Sequence, residues 1–191
     1  MILSRRLPRT LILLSVLLAA VILISPETQE PANSVLTILT REGVSGTQRE
    51  GEELARFIVE VSREYMLDPL LVLAIIKVES SFKVTARSSK GAWGLLQVRP
   101  IAVREIERQI GQKVEQKSLL DPHFNIRIGV HYFSYLVERF GGNLWKALMA
   151  YNKGPTTVAR LYGGRAVPSR GYQAKVMKFY KRFRDELRVP S

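Results

Sequence analysis

Pro69-Leu-Leu-Val-Leu-Ala-Ile-Ile-Lys-Val-Glu79 is apolar nearly all the way round. A helix of that composition is buried at the centre of a domain. Asp68-Pro69 supplies its start, as N-cap and first-turn proline, and the pattern predicts a helix to about Ser80. Lys77 is its one polar interior position. Glu79, two residues on, is turned by roughly 200° from Lys77. It therefore shares the stripe of Val72, Ile75 and Ile76 and not the wet face. A carboxylate on an inward stripe is desolvated, which raises its pKa and keeps it protonated near neutrality. A protonated carboxylic acid in a cleft is the usual general acid for breaking a glycosidic bond. The plainer reading of the same position is a glutamate at a fraying helix end, paired with Lys83 or Arg87.

Working outward, the flanking segments read as further helices. Thr47-x-x-Glu50 is a capping box, followed by Leu54, Phe57, Ile58, Val61 and Tyr65 on one helical stripe. Ile101 to Ile110 is amphipathic and ends at Gly111. Asp121-Pro122 repeats the start signal for a helix running to Phe140, with Gly141 as its stop. Asn143 caps Leu144–Tyr151, Pro155 opens a helix to Tyr162, and Tyr172, Val176, Phe179, Phe183 and Leu187 mark the last. There is no convincing strand pair and no repeat. The expected fold class is all-α with short loops, over residues 47–191.

The first 46 residues read differently. Arg5, Arg6 and Arg9 precede an apolar run from Leu11 to Ile24, which has the n-region and h-region of an export signal. Fourteen helical residues reach roughly 21 Å, short of the ~30 Å hydrocarbon core; that length suits a removed signal peptide. The absence of a clean small-x-small cleavage site argues for an uncleaved anchor over residues 7–25, and this is the preferred reading. Either way residues 26–191 face the far side of the inner membrane. Residues 1–25 are the signal or anchor and 26–46 are expected to be a linker, with a short helix conceivable over Ser34–Thr40.

Composition narrows the chemistry. The chain has 191 residues, 46% of them hydrophobic, and no cysteine. Disorder throughout, a disulfide scaffold, a thiolate metal site and a lipoprotein anchor are excluded. Two histidines, His123 and His131, make a His-rich metal site or a His-based triad improbable, and no cofactor or metal is expected. The 29 basic residues less the three N-terminal arginines, against 17 acidic ones, leave the exported part near +9. That suits an anionic partner such as cell-wall polymer or lipid head groups. Export makes nucleic acid a poor partner.

The company of Glu79 adds to this. Glu79-Ser80-Ser81-Phe82 is followed by Ser88 and then Gly91-Ala92-Trp93-Gly94-Leu95-Leu96-Gln97. Asp121-Pro122, Asn125-Ile126 and Gly129 come next, then Ala150-Tyr151-Asn152-Lys153-Gly154-Pro155, then Tyr172. In order and spacing this set, over about residues 52–185, resembles the lytic transglycosylase catalytic domain of the soluble transglycosylase type, a relative of goose-type lysozymes. The resemblance implies an all-α lysozyme-like fold with a saccharide groove. It also implies cleavage of the β-1,4 bond between N-acetylmuramic acid and N-acetylglucosamine in peptidoglycan. Glu79 then matches the catalytic acid. Ser88, Gln97, Tyr151, Asn152 and Tyr172 match residues that line the site or bind glycan. Taken singly, most of these have a structural reading: Gly91 and Gly94 as turn residues, Trp93 and Tyr151 as packing, Gln97 as surface. Asp121 and Asn125 read as an N-cap and a local hydrogen-bonding residue. Leu96 and Arg99 depart from the methionine and the apolar residue common at those places. Both are expected to bear on groove contacts and neither to touch the acid.

Most glycosidases need a second carboxylate, and the sequence offers no obvious one. Glu60, Glu64 and Asp68 lie on the preceding helix and turn. A transglycosylase manages without, since the muramic acid C6 hydroxyl can attack C1 of its own sugar and leave a 1,6-anhydro end. The alternatives are a hydrolytic muramidase and a membrane-tethered wall-binding or assembly protein with little turnover. A nucleic-acid-binding module is more distant. The expected partners are peptidoglycan strands, the inner membrane through the N-terminal helix, and cell-envelope machinery.

Overall fold

A computed structural model describes residues 26–44 and 46–187. The proposed signal or anchor at residues 1–25 lies outside them. Eight α-helices carry the described chain: α1 Pro26–Arg41, α2 Gln48–Glu64, α3 Pro69–Ser80, α4 Pro100–Ile110, α5 Pro122–Arg139, α6 Leu144–Lys153, α7 Pro155–Tyr162 and α8 Tyr172–Glu186. A 3₁₀ turn over Gln116–Leu120 precedes α5. No strand forms among the described residues; two isolated antiparallel bridges, Arg87 with Trp93 and Trp93 with Val98, stand in the loop between α3 and α4. The all-α expectation holds.

The helix boundaries follow local chemistry. The Thr47 hydroxyl accepts from Glu50 N–H while the Thr47 N–H donates to the Glu50 carboxylate, so the capping box closes in both directions. Asp68 caps α3 through Leu70 N–H, Asp121 caps α5 through Phe124 N–H, and Asn143 caps α6 through Lys146 N–H. Ser81 ends α3 in the left-handed region. Central α3 is sheathed by its neighbours: Leu71 to Ile76 are all buried, with α8, α2 and α1 packed around it.

Residues 26–41 correct the linker expectation. They form α1, whose Ala32, Val35, Ile38 and Leu39 are buried in the common core. The 3–4 spacing of these four makes one apolar stripe, which lies along α2 and touches α3. Pro26, Pro31 and the polar residues between them read locally as a breaker. Burial of the stripe outweighs that weak local preference.

Candidate active site

Glu79 sits in the last turn of α3, half-buried. The hydroxyl of Tyr172, the first residue of α8, donates to Glu79 Oε1 at 2.6 Å. Burial pushes the Glu79 carboxyl above its ordinary range; the Tyr172 hydrogen bond and the Arg99 charge pull it only part of the way back. Burial, and next the Glu79 charge, hold the Tyr172 hydroxyl well above its ordinary value. Tyr172 is thus a neutral donor at any moderate pH. The alternative pairing of Glu79 with Lys83 or Arg87 is not formed. Both side chains are exposed, and Arg87 lies over the Trp93 ring at 4.2 Å.

The loop from Ser81 to Arg99 forms one flank. Ser81, Phe82 and Gln97 all take positive φ, at 50°, 64° and 44°, so the chain is coiled tightly against the helices. Gly94, at φ 73°, is the position where only glycine fits. A Cβ there would stand 2.3 Å from Asn125 Nδ2 and 2.6 Å from the Leu119 carbonyl. Gly129 on α5 is similar in kind, since its Cβ would meet Leu96 Cδ1 at 2.5 Å. Fully buried Asn125 ties the loop down. Its Oδ1 accepts from Leu96 N–H, and its Nδ2 donates to the Trp93 and Leu119 carbonyls. This is more than the local bond expected for Asn125, because two of its partners are some 30 residues away in sequence.

The expected site residues fall into two groups. Tyr151 is buried, and its hydroxyl donates to the Leu96 carbonyl at 2.8 Å. Its ring packs against Tyr132 and Phe133, and the Glu79 charge bears on its phenol. Gln97, next along from Leu96, is half-buried; its Nε2 donates to the Ala86 and Gly94 carbonyls, which fixes the amide plane. Tyr172 therefore touches Glu79, and Tyr151 is tied to the loop carrying Gln97 through the Leu96 carbonyl. Ser88 and Asn152 are exposed, and no hydrogen bond joins either to Glu79 among the described residues. The Ser88 hydroxyl oxygen accepts from Ala92 N–H, closing the turn that leads into Gly91 and Gly94.

Arg99 does not touch the acid: it is half-buried, its guanidinium donates to the Tyr151 carbonyl at 2.8 Å, and its charge tends to lower the Glu79 pKa without a contact between them. The signal was present in the sequence, as a cation two residues after Gln97 where an apolar residue is common. The carboxylates weighed as partners are elsewhere: Glu60, Glu64 and Asp68 are all exposed. Glu64 pairs with Arg127, and Asp68 accepts from Leu70 N–H and the Tyr180 hydroxyl. A carboxyl whose pKa burial raises, bonded to a phenol and with no second carboxylate beside it among the described residues, can give a proton to a leaving oxygen and take one back.

The Transglycosylase SLT domain matches residues 56–166, more than half of the chain. Glu79, Ser88, Gln97, Tyr151 and Asn152 fall inside that span; Tyr172 lies beyond it and reaches the acid through the fold. Over 116 residues the chain is 31% identical to Membrane-bound lytic murein transglycosylase E of Buchnera aphidicola subsp. Acyrthosiphon pisum, covering 59% of this chain and 51% of that protein. Over 96 residues it is 34% identical to the Soluble lytic murein transglycosylase of Escherichia coli, covering 49% of this chain and 15% of that one. The chain thus spans half of the first relative and a small part of the second.

Among solved structures, lytic transglycosylase Slt from Pseudomonas aeruginosa, in an inactive glutamate-to-glutamine variant, superposes with a TM-score of 0.61 at 28% identity, over 70% of this chain and 24% of that one. The 70 kDa soluble lytic transglycosylase of Escherichia coli gives 0.62 at 24% identity, over 85% and 31%. The lysozyme-like arrangement of helices is shared with both. By the span of its domain match, this chain belongs to the transglycosylase SLT domain family.

Proposed function

We propose that the chain is a peptidoglycan lytic transglycosylase in which Glu79 is the acid and then the base. One observation carries this reading. The half-buried Glu79 accepts from the Tyr172 hydroxyl at 2.6 Å, burial raises its pKa above the ordinary range, and the candidate second carboxylates Glu60, Glu64 and Asp68 are exposed. Family membership and the names of the relatives support it.

Glu79 donates its proton to the oxygen linking muramic acid C1 to the next sugar, and the C1–O bond breaks. The substrate's own N-acetyl oxygen supports the charge at C1. The C6 hydroxyl of the same muramic acid then attacks C1, and the Glu79 carboxylate takes the C6 proton. The acid is regenerated, the product carries a 1,6-anhydro end, and no water is consumed. Holding the nucleophile on the same sugar is worth up to roughly 7–11 kcal/mol, which removes the need for a second carboxylate beside Glu79. Tyr172 orients the carboxyl. Gln97 presents its amide from a fixed plane, and Ser88 and Asn152 are exposed where a glycan strand can reach them. Residues 7–25 anchor the enzyme in the inner membrane, with the catalytic domain in the periplasm and the basic surface facing the wall.

The test is the purified full chain on peptidoglycan, with products read by mass, beside Glu79→Gln. Anhydro ends, one water lighter than hydrolysed ends, are expected from the unmodified chain and none from the variant. Hydrolysed ends would make it a muramidase. Equal and negligible release from both proteins would make it a wall-binding protein.

A further inference from the structure

The positive charge of the domain is not spread evenly. Over residues 26–138 the chain has 14 Lys and Arg against 15 Asp and Glu. From Arg139 to Arg184 it has 11 Lys and Arg and no acid at all. The excess therefore lies in the chain from the end of α5 onward. Some of it is used within the fold: Arg139 donates to the Tyr135 hydroxyl, Lys146 to the Gly163 carbonyl and Arg182 to Glu42. Lys153, Arg160, Arg165, Arg170 and Lys175 are exposed, and among the described residues none of these five is in an ion pair.

The fold brings these cations to one flank of the site. Lys153 ends α6, directly after Asn152 and two residues after Tyr151. α7 then runs back along α6, so that Gly163, just past its end, accepts from Lys146 in the first turn of α6. The next segment returns to Tyr172, and buried Gln173 pins it by donating to the Pro168 carbonyl at 2.6 Å. Tyr172 touches Glu79. Arg170 stands two residues before Tyr172, and Lys175 stands three after it, a neighbour on the same helix surface. Arg160 and Arg165 lie toward the other end of α6, which is about 15 Å long.

From this distribution we infer that α7, the segment from Gly163 to Gly171 and the first turn of α8 dock the carboxylates of the peptides carried by the glycan strand, so that peptide-bearing strands are preferred to bare ones. The inference rests on the function proposed above. Cations gathered with no acid among them set up a field of one sign, which raises the local concentration of anions. What reaches this flank is what reaches Glu79. The hydroxyls and amides of the glycan carry no charge, and a bare strand offers one lactyl carboxylate per muramic acid. An attached peptide brings several carboxylates and holds them away from the cleaved bond. Anionic lipid is a poorer fit. Glu42, just past α1, is bonded to Lys77 near the site end of α3, whereas Pro26, where the proposed anchor joins, lies the length of α1 away, about 24 Å.

The test compares soluble strands with and without their peptides, the latter prepared with an amidase. The full chain is used unmodified, as the combined variant Arg160→Gln, Arg165→Gln and Lys175→Gln, and as a control that loses three charges elsewhere, Arg49→Gln, Lys113→Gln and Lys117→Gln. The readout is the ratio of kcat/KM on peptide-bearing strands to that on bare strands. It should fall about tenfold in the first variant, three exposed pairs being lost, and stay at the unmodified value in the control. In the unmodified chain it should also fall as ionic strength rises from about 0.05 to 0.3 M, where screening shortens. A ratio that is the same in all three proteins, or that falls equally in the two variants, would overturn the inference. So would loss of binding to anionic phospholipid vesicles in the first variant with the ratio unmoved, which would make the surface a lipid contact. Absence of anhydro product from the unmodified chain on either substrate would instead defeat the proposed function. Binding of the two kinds of strand by Glu79→Gln, with and without the three substitutions, would then still report on the docking surface.

Discussion

Two glutamates flank α3, and their surroundings give them opposite chemistry. Glu42, just after α1, lies behind the helix and accepts from Lys77 at 2.6 Å and from Arg182 of α8. Glu79 lies in front and accepts from a phenol at the same 2.6 Å. Burial acts on both and tends to raise both. At Glu42 the Lys77 hydrogen bond and the Lys77 and Arg182 charges outweigh it, and the carboxyl falls below its ordinary range. At Glu79 a neutral donor and a more distant cation do not. A partly buried carboxylate is therefore a brace when cations touch it and a proton carrier when a hydroxyl does.

The largest expected effect comes from Glu79→Gln. It should cut release of anhydro products by about 10²–10⁴-fold or more, with the fold intact by circular dichroism. Asn125→Ala comes next. It strands Leu96 N–H and the buried Leu119 carbonyl, while the Trp93 carbonyl keeps its bond from Val98 N–H; a loss of about 3 kcal/mol in urea unfolding is expected, with the catalytic loop loosened. Glu42→Ala should cost about 2 kcal/mol, between the values for exposed and fully buried pairs. The turnover of the molecules that remain folded should be unchanged, which checks that the brace and the acid are separate.

The smallest effects carry opposite signs in pH. Glu42 has a depressed folded pKa, so it contributes stability above its unfolded value near 4.5, and that contribution is lost as pH falls through the folded pKa. Glu79 has a raised folded pKa, so its contribution is present below 4.5 and is lost as pH rises through the folded value. Unfolding measured from pH 3 to 8 should show Glu79→Gln more stable than the unmodified chain at neutral pH, by about 1 kcal/mol or less, and level with it in acid. Glu42→Gln should remove the acid-side decline. Identical pH curves for the two variants would break the comparison.

Much of the fold was legible because its signals are local. Asp68-Pro69, Asp121-Pro122, Asn143 and the Thr47–Glu50 box each satisfy backbone groups a few residues away, so the helix starts could be read one by one. The rotation from Lys77 to Glu79 also placed the acid on the inner side. What escaped depended on distant partners. The stripe of Ala32, Val35, Ile38 and Leu39 has meaning only with α2 and α3 beside it. Arg99 read as a groove substitution until the end of α6 arrived under its guanidinium. Asn125 read as a local bond because its partners at Trp93 and Leu96 are brought in by a loop pressed onto α5.

Residue order alone makes the described chain helical, sets where most helices begin, and puts one carboxyl on the greasy side of the central helix. Those features follow from hydrogen bonds and periodicities spanning four residues or fewer. What that carboxyl touches depends on how distant parts of the chain pack. Tyr172 lies 93 residues from Glu79, and the chain between them must fold before a phenol, and not a lysine, stands at its oxygen.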